Sequence, residues 1–126
     1  MAGKDHFAIH TGTEDLRVQM EMFASAVIVV GAHGAGLSNL LFSDPGTALV
    51  LFPMMPHVDH TFAHLAAALD LQQYVLPEIH SNYYGHYGTL APRLIRQTAG
   101  LVKDLLAERR AAGRLVEVAG RDRVEL

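Results

Sequence analysis

The chain has 126 residues, of which 50% are hydrophobic and 18% are charged, and its formal net charge at pH 7 is −3. This composition is typical of a folded globular protein, and the length suits a single domain over residues 1–126. The slightly acidic balance gives no basic field to attract nucleic acid, and the absence of cysteine excludes disulfides and thiolate metal sites. No apolar run approaches the roughly 18 residues of a membrane span, so we expect none in this chain.

The amino-terminal part of the chain predicts a helix and then a buried strand. Thr13 is the expected N-cap of a helix that runs to Ala24, with acidic residues in its first turn. Its apolar stripe is expected to comprise Leu16, Met20 and Phe23. The next segment, Ala26–Val30, is a short run rich in Val and Ile, as a strand buried on both faces of a parallel sheet requires.

A glycine-rich loop separates this strand from a second one. The loop is Gly31–Gly36, after which Leu37–Phe42 predicts a short helix and Ser43–Gly46 a turn. Thr47–Phe52 is again apolar and predicts the second strand. The order strand, loop, helix, turn, strand predicts a compact βαβ unit and therefore an α/β fold with a parallel sheet.

Two further helices and one further strand are expected downstream. A helix over about Asp59–Asp70 precedes a candidate third strand, Gln72–Leu76, and His80–Thr89 is expected to be a loop. A last helix should start at Pro92, end near Ala112 and be stopped by Gly113. The buried face of the earlier helix is predicted to comprise Phe62, Leu65, Ala66 and Leu69. The stripe of the last helix is predicted to comprise Leu94, Ile95, Thr98, Leu101, Val102, Leu105 and Leu106.

The glycine loop is the strongest candidate for a binding site. Glycines at 34 and 36 would let a phosphate approach the backbone, where amides at the start of a helix can donate to it. His33 could donate to a phosphate or leaving-group oxygen, or it could only brace the neighbouring backbone. The spacing G-x-x-G-x-G differs from the dinucleotide fingerprint, which disfavours a dinucleotide-dependent oxidoreductase, and no Gly-Lys-Ser/Thr follows.

The string from Phe23 to Phe42, with the core Val30-Gly31-Ala32-His33-Gly34-Ala35-Gly36-Leu37-Ser38-Asn39, resembles the signature of glycosyltransferase family 61. The resemblance continues through Pro45-Gly46-Thr47 and more loosely to Tyr74, so that it covers about residues 16–76. The family includes N-acetylglucosaminyl-, xylosyl- and arabinosyltransferases and bacterial capsular polysaccharide proteins.

The resemblance implies a GT-B enzyme, in which two Rossmann-like halves enclose a cleft, and this chain would be the carboxy-terminal half. It implies an inverting transferase that moves a sugar from a nucleotide sugar, typically a UDP sugar, to a protein or glycan acceptor, with no cofactor or metal. The residues that match the nucleotide-binding motif are Gly31, His33, Gly34, Ala35, Gly36, Leu37 and Asn39, with His33 as the catalytic candidate. The compartment would be the cytoplasm for a bacterial protein and the secretory lumen for a eukaryotic one.

Two departures from the family pattern affect these expectations. Family members commonly carry an acidic residue near the ribose in the second strand, where this chain has Val50. The amino-terminal half of a GT-B enzyme is not found before Met1, so we expect a missing half or a second copy to supply the acceptor side, and the isolated chain to be inactive. The alternative is a non-catalytic nucleotide-binding or scaffolding module.

Three other clusters have weaker functional interpretations. His57, Asp59, His60 and His64 could approach one another near a helix, but without the glutamate of H-E-x-x-H a polar surface is favoured over a metal site. The tyrosines in Tyr83–Tyr87 could stack on a ligand, although burial against the sheet is favoured. The arginines near the end of the last helix are explained by the helix dipole.

Overall fold

A computed structural model describes residues 7–52, 60–76 and 92–113 of the chain. Within these ranges the elements are, in order, α1 (Leu16–Ser25), β1 (Ile28–Ala32), a 3₁₀ helix (Ala35–Phe42), β2 (Ala48–Phe52), α2 (Thr61–Ala68), β3 (Gln72–Val75) and α3 (Pro92–Ala111). The predicted loop at 80–89, the tyrosines at 83, 84 and 87, and the tail from 114 lie outside the described residues.

The three described strands form one parallel sheet in the order β1-β2-β3. Ile28 is paired with Ala48 and Ala32 with Phe52, and on the other side Ala48 is paired with Gln72. The predicted parallel pairing of the first two strands and the α/β fold are confirmed, and the strand order is compatible with a Rossmann-like domain. All three carboxyl ends lie at one edge of the sheet, which is the edge from which the glycine loop leaves.

Strand β2 is the centre of the fold, and every one of its residues is buried. Because successive side chains of a strand point to opposite faces, Leu49 and Leu51 join one core cluster while Ala48 and Val50 join another. The first cluster includes residues of α1, the 3₁₀ helix and α2, and the second includes Leu105 and Leu106 of α3. Helices therefore cover both faces of the sheet, which explains why these strands are continuously apolar.

Helix α1 starts two residues later than a helix capped at Thr13 would. Asp15 is the N-cap, and its carboxylate accepts a hydrogen bond from the Val18 amide at 3.0 Å. The buried side chains of α1 are Met22 and Phe23, whereas Leu16 and Met20 are exposed. The predicted apolar stripe was therefore wrong at two of its three positions, because the helix presents only its last turns to the sheet.

Helix α3 follows the predicted bounds closely, and Gly113 ends it with a φ of +70°. Ile95, however, is 52% exposed, and the buried side chains include Arg109, which is 3% exposed. The Arg109 Nη2 donates to the Gly46 carbonyl oxygen at 3.0 Å and to the Gln72 Oε1 at 3.1 Å. Arg109 thus joins α3 to the amino-terminal edge of the sheet, a role beyond the helix-dipole explanation.

Across the part of the chain that the structure covers, no helix combines the length and the apolar character that crossing a membrane requires.

Candidate functional site: the glycine loop and the adjoining cleft

The loop leaves the sheet two residues later than predicted. Strand β1 continues to Ala32, and the His33 amide extends the ladder by donating to the Phe52 carbonyl oxygen at 3.0 Å. Gly31 was expected in the loop but lies within the strand. The loop between β1 and the 3₁₀ helix is consequently reduced to His33 and Gly34.

The three glycines of the motif have different surroundings. A Cβ atom on Gly31 would lie 2.9 Å from the Leu37 Cδ2, so Gly31 leaves space for a buried leucine. A Cβ on Gly36 would lie 3.3 Å from the His10 Cε1, so Gly36 leaves space for the imidazole of His10. A Cβ on Gly34 would meet only the Ala32 carbonyl oxygen, at 3.8 Å.

Nothing within the described chain explains the glycine at position 34. Its φ of 175° and ψ of 163° are an extended conformation that any residue adopts, and its Cβ would have only an ordinary van der Waals contact. The missing side chain therefore serves neither the backbone conformation nor the packing of the described residues.

The backbone amides of the loop divide into two groups. The amides of His33 and Leu37 already donate, to the Phe52 and Gly34 carbonyl oxygens respectively, each at 3.0 Å. The amides of Gly34, Ala35 and Gly36 lie between them, and those of Ala35 and Gly36 precede the first hydrogen bond of the 3₁₀ helix. A phosphate site over His33–Leu37 is therefore restricted to the three central amides.

The side chain of His33, the catalytic candidate, packs edge-on against Phe62 of α2. The ring centroids are 4.9 Å apart and the planes meet at 69°. His33 is half-buried. This contact fits the bracing role that was weighed against ligand binding, and the contact with a ligand stays a prediction.

A cleft of about 400 Å³ opens beside the glycine loop. Segment 7–10 forms one wall, and Gly31, Gly34, Gly36 and Leu37 contribute to the other. Among the described residues that line it, His10 carries the only polar side chain. The other lining residues are Phe7, Ala8, Ile9, Phe23, Val29, Val30 and Ala32.

His10 is fixed by hydrogen bonds that join segment 7–10, α1 and the 3₁₀ helix. Its Nε2 lies 3.0 Å from the Gln19 Oε1, and the same oxygen accepts from the Asn39 Nδ2 at 3.0 Å. Asn39 also donates to the Gly36 carbonyl oxygen at 3.3 Å. Asn39, predicted to contact the ligand, thus has a bracing role in the described structure. Sequence reasoning did not identify His10, because only the fold brings it to Gly36.

Two other expectations concern residues away from this cleft. The rings of His60 and His64 are stacked with centroids 5.9 Å apart, while His57 and Asp59 lie outside the described residues. Within residues 7–52, 60–76 and 92–113, no three His, Asp or Glu side chains form a group that could hold a metal ion.

Val50 is 0% exposed in the middle of β2, so this position is too deep in the sheet to contact a ribose.

The family model of glycosyltransferase 61 matches residues 3–50 of the chain. No curated protein and no solved structure matches the chain. The matched segment begins earlier than the similarity expected over residues 16–76, and it ends before α2 and Tyr74. It lies at the amino-terminal end of this chain and does not distinguish one half of a GT-B enzyme from the other. The similarity to glycosyltransferase 61 therefore covers residues 3–50, the part of the chain that holds the cleft and the glycine loop.

Proposed function

We propose that the chain is the nucleotide-sugar-binding part of an inverting glycosyltransferase. The similarity of residues 3–50 to glycosyltransferase 61 suggests a glycosyltransferase. The finer parts of the proposal are a UDP-sugar donor, a protein or polysaccharide acceptor, and a place as one Rossmann-like half of a GT-B fold. A second domain, or a second copy of the chain, would supply the acceptor side.

The open position at Gly34 is the observation that carries this proposal. Gly34 borders the cleft, and a side chain there would meet no packing obstacle and no backbone strain. A side chain would nevertheless project from the backbone next to the amides of Ala35 and Gly36. A glycine at such a position is explained by a ligand that must approach the backbone closely.

The position of the loop in the fold supports an anionic ligand. Ligands of parallel α/β sheets bind at the carboxyl ends of the strands, and this loop follows the carboxyl end of β1. The amides of Gly34, Ala35 and Gly36 lie where the backbone enters the 3₁₀ helix. Amides at the start of a helix donate readily to phosphate oxygens. A diphosphate is therefore the part of a nucleotide sugar that this loop suits.

The test is calorimetric titration of the chain with UDP, with GDP and NAD titrated in parallel. Gly34→Val should abolish UDP binding, because its branched side chain occupies the approach to the amides. Gly100→Val is the matched control, since a Cβ on Gly100 in α3 meets nothing within 4 Å, while a Cβ on Gly34 meets only the Ala32 carbonyl oxygen at 3.8 Å. Both variants should unfold at temperatures close to that of the parent.

Equal UDP affinities of the parent and Gly34→Val would refute a phosphate site at this loop. Tighter binding of NAD than of UDP would instead favour the dinucleotide-dependent class that the glycine spacing disfavours.

A non-catalytic nucleotide-binding or scaffolding module is the second candidate. It is favoured by the second strand from its middle to its carboxyl end, where Val50, Leu51 and Phe52 are all apolar and buried. Those three residues offer no carboxylate to a ribose. A transfer assay with UDP sugars and a supplied amino-terminal half separates the two candidates, because a scaffold would bind the nucleotide without releasing UDP from the sugar.

A further inference from the structure

We infer that His10 is a second phosphate-contacting residue, and that its imidazole Nδ1 donates to the anion held at Gly34–Gly36. The inference rests on the proposed function for the identity of the anion as a diphosphate. The side chain that would contact the diphosphate then comes from segment 7–10, which lines the same cleft but lies outside the glycine motif.

The hydrogen bonds around Gln19 determine which nitrogen of His10 is available to a ligand. The Gln19 Nε2 donates to the Glu14 carbonyl oxygen at 2.7 Å, which fixes the orientation of the amide group. The Gln19 Oε1 is therefore an acceptor, and the His10 Nε2, 3.0 Å away, must be the donor. Nδ1 is therefore the ring nitrogen that can contact a ligand.

The remaining nitrogen lies beside the glycine loop. The His10 Nδ1 is 3.4 Å from the position that a Cβ atom on Gly36 would occupy. The ring is held there edge-on to Phe23, with centroids 5.4 Å apart and planes at 85°. His10 also has the only polar side chain among the described residues that line the cleft. An anion bound on the amides of Gly34–Gly36 would therefore find His10 as its nearest polar side chain within this cleft.

Glu14 is the charged residue that lies beside His10 among the described contacts of the ring. The Glu14 Oε2 lies 3.9 Å from Nε2, the nitrogen that is hydrogen-bonded to Gln19. The other neighbours described above are neutral: Gln19 and Phe23 from α1, and Gly36 from the 3₁₀ helix. With Nε2 donating to the Gln19 Oε1 and a phosphate oxygen accepting from Nδ1, both ring nitrogens would have partners.

The experiment uses inorganic pyrophosphate and UDP as separate probes of the full chain. His10→Gln should weaken binding of both about tenfold to a hundredfold, as expected for one hydrogen bond to a charged group. The affinity of the parent should rise more than that of His10→Gln when the pH is lowered from about 8 to 6, the range in which histidine changes charge. His64→Gln, an exposed histidine replaced in the same way, should bind like the parent.

A spectroscopic measurement on the parent removes any dependence on the folding of the variant. In nitrogen NMR spectra, saturating pyrophosphate should convert the His10 Nδ1 resonance from that of an acceptor nitrogen to that of a protonated one. If pyrophosphate binds while this resonance stays unchanged and His10→Gln retains full affinity, the inference is overturned, and UDP binding that is lost in Gly34→Val still supports the proposed function.

The opposite outcome is equally informative. If pyrophosphate binding depends on His10 but UDP binds no more tightly than pyrophosphate, the anion site stands and the nucleotide-sugar function does not. If neither probe binds the parent, both proposals are overturned.

Discussion

Gly31 and Leu37 are matched in volume across the turn from β1 into the 3₁₀ helix. A Cβ atom on Gly31 would lie 2.9 Å from the Leu37 Cδ2, and Leu37 is 6% exposed. Three residues further on from Gly31, a Cβ on Gly34 would meet only the Ala32 carbonyl oxygen, at 3.8 Å. Packing therefore explains why residue 31 is a glycine but does not explain why residue 34 is one, although both belong to the same motif.

We expect Gly31→Ala to reduce the free energy of unfolding by about 1–3 kcal/mol, because it overpacks the site of Leu37. Urea denaturation measures this change. The double variant with Leu37→Ala should show coupling between the two positions, since the smaller side chain relieves the clash. Additive losses in the two single variants would mean that Gly31 and Leu37 do not constrain each other.

The function of His33 can be separated from its packing against Phe62. His33→Phe keeps an aromatic ring at the 4.9 Å contact but removes both ring nitrogens, whereas His33→Ala removes both the ring and the nitrogens. If His33 donates to a phosphate oxygen, both variants should weaken UDP binding by about 1–3 kcal/mol in calorimetry. A purely bracing His33 would instead show full UDP affinity in His33→Phe and reduced thermal stability in His33→Ala alone.

Replacement of the buried Arg109 should destabilise the fold. Arg109→Met leaves the Gly46 carbonyl and the Gln72 side chain without these two hydrogen bonds, at a cost of about 1–3 kcal/mol. Arg96→Met changes an exposed arginine of the same helix and should stay within about 0.5 kcal/mol of the parent. Chemical denaturation measures the free energy of unfolding of the two variants. Equal values would show that the hydrogen bonds of Arg109 to Gly46 and Gln72 do not stabilise the fold.

The carboxylate of Glu14 should make stability depend on acid pH. Hydrogen bonds from the Thr11 amide, the Thr11 hydroxyl and the Gly12 amide lower the pKa of Glu14 from 4.5 to about 2. Because the folded state binds this proton more weakly than the unfolded state, the stabilisation is complete above pH 4.5 and is lost as the pH falls towards 2.

The measurement for Glu14 is the thermal unfolding midpoint from pH 5 down to pH 2. The parent should lose more stability over this window than Glu14→Gln, which has no proton to take up at that position. Parallel curves for the two proteins would mean that Glu14 is not selectively stabilised as a carboxylate in the folded state.

The sequence by itself determined the parallel α/β architecture and indicated the glycine loop as the candidate site. Short continuous apolar runs, such as the one that ends at Val30, predict strands that are buried on both faces. The glycine loop and short helix between two such runs predict that the two strands pair in parallel. The long ordered string around His33 also led to the family that the matched residues 3–50 support. These features are local, so their signal lies in neighbouring residues.

The tertiary structure alone decided what each residue of the motif contacts. Whether a glycine serves packing or leaves an opening depends on a partner from elsewhere in the fold, which is Leu37 for Gly31 and His10 for Gly36. His10 comes from a segment before α1, and no periodicity relates it to the loop. Arg109 is buried because the end of α3 lies against the amino-terminal edge of the sheet. Contacts between distant segments depend on how the helices pack on the sheet, and local sequence patterns do not encode that packing residue by residue.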